Sequence, residues 1–442
     1  MAVHTLDELF AAHSRQFKAQ FIFYFTDKPL VVNQDNYLID FEIEEAIMNG
    51  NSVLGAPQPS TLDISLLNTK GMFTPSNDAG PYAGLIAPGV KIVGELKVIA
   101  LGEESDWLPL GTYFATDWKA PSGAAEATVY ASDCLQGILD ANPAAVEVTE
   151  NMTYSQFISY FFEKIGSPAV MEDTLGTVLP FGWSSGDSEN DIKDLTNAAR
   201  AVCISNRTAA PHIFSLVKAR NIRLSIDDNS GLFISASENS SFVQQYGGVE
   251  LTYRQPSLLT DADVLTSNGI EAPSGESTLD PIAFNKTPVY AVESVGCQTE
   301  RGQIVILNYQ YTPSEITVSL RNSDPKPFST ELVVRGTVVD FTDAMLTDKK
   351  DDLFSFSSDF IQSSVYAGVF KAFLNRYVSS KLPTITLETT GNIGLKLLDR
   401  IKFSSAKYSM QFDGVVTQIH TKFSSGLTQT FVLMNSNILT DQ

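Results

Sequence analysis

The sequence is poor in cysteine, histidine and positive charge, and it has no long apolar run. Its three cysteines, Cys134, Cys203 and Cys297, lie far apart. So odd and sparse a set gives neither a disulfide framework nor a CxxC metal site, and reads as buried thiols in a protein made in a reducing cytoplasm. The four histidines, His4, His13, His212 and His420, show neither HExxH spacing nor a nearby cysteine–carboxylate arrangement. No metal site is therefore expected, and His420 reads as a surface residue on the polar side of a strand. GxSxG, GxxxxGK and GxGxxG are missing from any strand-turn-helix context, so no nucleophile elbow and no phosphate or cofactor loop is expected. Gly182-Trp183-Ser184-Ser185-Gly186 reads as a turn around a buried Trp. No stretch of about 18 or more apolar residues occurs, so no membrane span is expected. The N-terminal MAVHTLDELFAAHSRQF carries acids and lacks a basic region before an apolar core, which argues against a secretory signal. Lys and Arg total 30 against 51 Asp and Glu, a net charge of −21. Binding to a phosphate backbone needs the opposite balance.

What is present is a 442-residue chain with 43% hydrophobic residues. That is long enough for about three domains of roughly 150 residues each. Thr5-Leu6-Asp7-Glu8 is a capping box, and helix is expected over 5–16. Strands are then expected at Phe17–Phe25, Leu38–Ile47, Ser60–Leu67, Val90–Leu101, Trp107–Trp118 and Ala124–Cys134, with turn signals at Asn49-Gly50 and Ser122-Gly123. Six strands without an intervening helix favour a curved antiparallel sheet or barrel. A second capping box, Thr153-Tyr154-Ser155-Gln156, opens a helix that presents Phe157, Ile158, Phe161, Phe162 and Ile165 on one face. Another helix is expected near Ser188 or Asp191, and one more over 359–379. Residues 257–290, rich in Ser, Asp, Pro and Gly, read as a long surface loop or irregular insertion.

Acidic side chains allow two readings of Glu42, Glu44 and Glu45 on the second strand. They could be a hydrolase pair, or the polar face of an edge or lumen-lining strand. The polar face is preferred, because hydrolysis needs an acid raised in pKa inside a cleft. Phe21–Phe25 reads as core, and Phe354-Ser355-Phe356 as an edge strand or subunit contact.

The stretch from Leu62 to Val98 is the most informative. Two alternating strands enclose a long segment rich in turn residues that still carries Met72, Phe73, Pro81, Tyr82, Leu85 and Ile86. Its order of motifs is Leu66-Leu67-Asn68, Phe73-x-Pro75-x-Asn77, Gly80-Pro81-Tyr82, then Leu85-x-x-Pro88-Gly89-x-x-Ile92. This resembles the first tube domain of phage tail hub proteins, the hubs of contractile baseplates and of the tips of long flexible tails. Leu110-Gly111-Thr112-Tyr113-Phe114 and Ala127–Asp133 fit the same pattern, as do Gly248–Pro256 and the hairpin Phe412–His420 with Leu427–Leu433. The family usually has Gly-Asp where Leu398-Asp399 stands. Residues 257–345 are poorly covered by the resemblance.

The resemblance implies an α+β, β-rich protein with two curved antiparallel β-barrel-like tube domains and smaller α+β domains. The first tube domain would occupy 1–135 with its short helix, and an α+β domain 136–239. The second tube domain would combine 240–256 with 381–442 around an insertion at 257–380. It further implies a structural role without catalysis or cofactor. Three copies would form a ring that adapts a sixfold tail tube or distal tail protein to a threefold spike, fibre or tape-measure protein. The ring would initiate tube assembly and pass duplex DNA during ejection without binding it. Such a protein would reside in the virion, at the tail tip or baseplate, after assembly in the host cytoplasm. On this reading Met72, Phe73, Tyr82, Leu85 and Ile86 are candidate subunit contacts, and Glu42, Glu44 and Glu250 candidate lumen acids. A tail-tip cell-wall hydrolase and a glycan-binding adhesin are the alternatives.

Overall fold

A computed structural model describes residues 4–25, 28–48, 54–121, 123–141, 143, 145–239, 246–298, 304–349, 351–379 and 384–439. The turn signal Asn49-Gly50 and Ser122 lie outside them.

The fold class is α+β and β-rich. In Arg15–Phe25, Ala19, Phe21, Phe23 and Phe25 are buried while their alternating neighbours are less so. That period of two commits one face of the strand to the core. The strand pairs antiparallel with Lys28–Asn33 and with Lys91–Ala100. Lys91–Ala100 pairs with Leu108–Lys119, then Glu126–Ser132, Thr61–Leu67 and Leu38–Ala46 follow in turn. Leu38–Ala46 also pairs with Met410–Phe423, from the far end of the chain. Leu427–Asn435, Thr384–Thr389 and Phe233–Asn239 extend the sheet, and Ile222–Asp227 joins beside Arg400–Ser405. The N-terminal and C-terminal strand groups thus lie in one open sheet of 14 strands, with Leu38–Ala46 against Met410–Phe423 as the seam. Among the described residues the sheet does not close into a barrel: its path ends at Phe233–Asn239 and at Lys28–Asn33.

Four features differ from expectation. The first helix is only Leu6–Ala11, with its capping box formed. Arg15 turns its guanidinium back onto the carbonyls of Phe10 and Ala12, which satisfies the helix end and starts the strand early. The strand at 248–256 does not pair with the 384–435 strands. It belongs to Gly248–Ala272, a 25-residue strand that pairs with Phe328–Thr347 and Leu353–Ser358. Much of the expected 257–290 loop is therefore strand. Its pattern was hidden because bulges between Leu259 and Ala262, Asp263 and Leu265, and Ser267 and Ile270 each reset the alternation. The last long helix runs Ser364–Ser379, starting five residues later than expected.

Three clusters of buried side chains hold the chain. One contains Phe21, Ile64, Leu96 and Val129 of the N-terminal strands together with Phe423 and Leu427 from the C-terminal hairpin. A second joins the helices Tyr154–Lys164 and Ser188–Ala198, the start of Gly248–Ala272, Phe370 and Phe373, and Ile385, Phe431 and Leu433. The third is confined to residues 262–338. Tyr154–Lys164 stops in a Schellman arrangement: Gly166 has φ +77°, its N–H donates to Glu163 O, and the Ser167 N–H donates to Phe162 O at 3.0 Å.

Candidate functional site

At the seam the two faces of the sheet differ in kind. Phe41, Ile43, Leu62, Ile64, Ile419 and Phe423 point into the cores. Glu42, Glu44, Asp63, His420 and Lys422 lie on the opposite face, where they are partly or fully exposed. The register fixes their neighbours, with His420 opposite Glu44, Lys422 opposite Glu42, and Glu42 opposite Asp63. His420 Nε2 bonds Glu42 Oε1 and lies 3.9 Å from Glu44 Oε1; Lys422 Nζ lies 3.1 Å from Glu42 Oε1. Partial burial works against ionisation of Glu42, yet hydrogen bonds from Lys422 and His420 hold its carboxyl below the usual range. Asp63 is pushed up, by burial first and then by the charges of Glu42 and Glu44. Glu44, Ala46, Thr61, Gln418, His420 and Thr430 also line a hollow of about 440 Å³.

The third candidate acid stands apart. Glu250 is on the Gly248–Ala272 strand, in a different sheet, where it accepts from Ser355 Oγ at 3.4 Å. Sequence gave no means of separating it from Glu42 and Glu44, because pairing partners are set by the fold.

The 72–86 loop folds back over its own chain. Phe73 is fully buried, stacked on Tyr82 at 5.6 Å and edge-on to Tyr37 at 5.5 Å. Tyr82 also stacks on Phe25 at 5.3 Å. Asn68 shapes the start of the loop, accepting from the Phe73 N–H at 2.8 Å and donating to Thr74 Oγ1 at 3.0 Å. Phe73 is thus a core residue and not free to meet another subunit. Met72, Leu85 and Ile86 pack on the same core with part of their surface left open. Phe354 and Phe356 likewise turn inward, toward Tyr246, Tyr377 and Phe370.

The fold creates a buried centre that sequence reading missed. Arg207 donates twice to Glu45 Oε2, at 2.7 and 3.2 Å, and once to Oε1 at 2.9 Å. It also donates to the carbonyls of Ile393 at 2.6 Å and Leu395 at 3.0 Å. Glu45 lies two residues beyond Ile43 on the same strand, so it shares the core-facing side, and only a paired charge is tolerated there. Asn206 and Arg207 both have positive φ, an uncommon backbone that aims the guanidinium inward.

Two other groupings bear on chemistry. His212 Nδ1 lies 2.7 Å from Glu172 Oε1, and its Nε2 lies 2.8 Å from Thr208 Oγ1. The Thr208 hydroxyl is also engaged with the carbonyls of Ser205 and Ala210, so the array holds a turn. A cleft of about 660 Å³ opens nearby, lined by Phe114, Asp133, Cys134, Ile165, Pro168 and Pro211. Asp133 is spent within it as the cap of helix Cys134–Leu139 and as acceptor for the Ser60 N–H. Burial, with Asp133 alongside, pushes the Cys134 thiol up to about 12, which keeps it from acting as a nucleophile near neutral pH.

No protein-family model matches the chain, and no curated protein matches it. Solved structures do. The chain is similar to the 43 kDa tail protein of prophage MuSo2 from Shewanella oneidensis, at 10% identity over 95% of this chain and 99% of that one, with a TM-score of 0.53. It also matches the tail protein from Neisseria meningitidis MC58, at 8% identity, 95% and 98% coverage, and a TM-score of 0.49. Prophage tail protein gp18 from Listeria monocytogenes EGD-e matches at 9% identity, 94% coverage of each chain, and a TM-score of 0.44. The likeness concerns fold, and the fold conclusion rests on the first of the three.

Proposed function

We propose that this chain, built on the fold of a prophage tail protein, is a structural subunit of a tail tip or baseplate, and that three copies close into a hub ring. The observation that carries this reading is the end-to-end match in fold, 95% of one chain on 99% of the other. The open sheet supports it. Among the described residues its two terminal strands, Phe233–Asn239 and Lys28–Asn33, each have one edge without a strand partner in the sheet. Natural proteins cover such edges, and a head-to-tail contact repeated around a ring would do so.

In this reading the N-terminal and C-terminal strand groups give each copy two similar walls, so three copies meet a sixfold tube above and a threefold spike or fibre below. The polar face carrying Glu42, Glu44 and Asp63 would line the channel. Lys422 and His420 share that face, so the wall is mixed in charge with an acidic excess. Duplex DNA would pass it without binding. The exposed parts of Met72, Leu85 and Ile86 remain candidates for ring contacts. The proposal assigns the chain no catalytic step. Mass photometry of the chain, alone and with the tail tube protein, tests it: three-copy particles support the ring, and a chain that stays single under both conditions contradicts it.

A further inference from the structure

Two carboxylates and an imidazole converge on the polar face of the seam. The ligand atoms of Glu42, Glu44 and His420 all lie within 4.8 Å of one another. We propose that these three side chains form a site for a borderline transition-metal ion, zinc being the probe of choice. The inference rests on the sheet alone and not on the tail reading.

The donor set is mixed: imidazole suits zinc, nickel and copper, whereas magnesium and calcium take oxygen ligands. Each donor is placed by strand geometry. Glu42 and Glu44 are two apart on one strand and so share a face, and His420 is delivered by register on the neighbouring strand. Zinc bonds of about 2.0–2.2 Å set tetrahedral donor atoms about 3.4 Å apart. Glu42 and His420 are already in contact, and Glu44, with 69% of its side chain exposed, is free to swing in.

The electrostatics favour a cation. Asp63 stands opposite Glu42 in the strand register and adds a third carboxylate to this face. Lys422 competes for Glu42, but its side chain is 57% exposed and its ion pair is of the weakly stabilising surface kind. The hollow beside Glu44 and His420 leaves room for water or a small anion to complete the coordination. Because Glu44 and His420 come from strands 376 positions apart in the chain (420 − 44), a bound ion would staple the N-terminal and C-terminal halves at their seam.

Calorimetric titration of the full chain with zinc chloride tests the site. One ion per chain is expected, with binding weakened by about tenfold or more in His420→Ala and in Glu44→Gln, the usual scale for disturbing a metal site. Zinc should also raise the melting temperature of the parent and not of His420→Ala. Glu44→Gln changes an exposed side chain, so it keeps the test valid if His420→Ala folds poorly. Absence of zinc binding in the parent would overturn the proposal. So would unchanged affinity in Glu44→Gln, or complete displacement of zinc by magnesium at tenfold excess, which would reveal an unselective acidic patch.

Discussion

Glu45 and Arg207, 162 residues apart in sequence, form a buried ion pair in which each side chain is about 5% exposed or less. Arg207 adds the carbonyls of Ile393 and Leu395, so one guanidinium ties together an N-terminal strand, the middle of the chain and the C-terminal region. Breaking such a pair leaves a desolvated charge without its counterion. Glu45→Gln or Arg207→Met should each lower stability by about 3–5 kcal/mol, read as a shift in the urea midpoint. The double change to Leu at both positions should cost less than the sum of the single changes. A loss below about 1 kcal/mol in both single variants, the surface-pair range, would contradict the clamp.

The loop at 72–86 gives a second prediction. Tyr82 stacks between Phe25 and Phe73, so Tyr82→Asp should lower the melting temperature of the isolated chain, before any assembly is measured. Leu85→Asp places its charge on a partly open position and should leave the fold near normal. If Leu85→Asp also assembles normally, the loop takes no part in a ring contact.

Both results bear on what could be read from sequence. The six N-terminal strands were legible because most of their length alternates around one buried face, as Leu62, Ile64 and Leu66 show. Helix Tyr154–Lys164 was legible from its capping box and its phenylalanines. The apolar loop stood out in the sequence, but a sequence does not say whether Phe73 meets its own core or another subunit's. The part of Gly248–Ala272 beyond Pro256 was illegible because its bulges and its Ser, Thr and Asp residues break the period. Arg207 was missed, and the partners of His420 were not foreseen, for another reason: Glu45, Glu42 and Glu44 reach them only through tertiary pairing, which leaves no local spacing to detect.

The thiols supply a third prediction. Burial raises the pKa of Cys134 to about 12, and raises Cys203 and Cys297 as well. Few thiolates exist near pH 8, so a disulfide reagent should label the native chain slowly and all three cysteines once it is unfolded. Rapid labelling of Cys203 in the native chain would show that its strand opens readily.

Acid should act through Arg400 and Asp413, joined by two hydrogen bonds of 2.7 Å. Those bonds hold the Asp413 carboxyl below its usual range. A depressed folded-state pKa adds stability above the unfolded value of about 3.9, and that contribution fades as pH falls through the folded value. The stability gap between the parent and Asp413→Asn should therefore be widest near neutral pH and shrink as the pH falls below the unfolded value of about 3.9. A gap that stays constant with pH would assign the effect to packing.

The ring is tested most directly by electron microscopy of the purified full chain, classified without imposed symmetry and repeated with the tail tube protein. Threefold particles are predicted, with Leu38–Ala46 and Met410–Phe423 in the wall and the Glu42 face toward the central opening. Particles of another symmetry, or a ring with the Glu42 face turned outward, would contradict the hub.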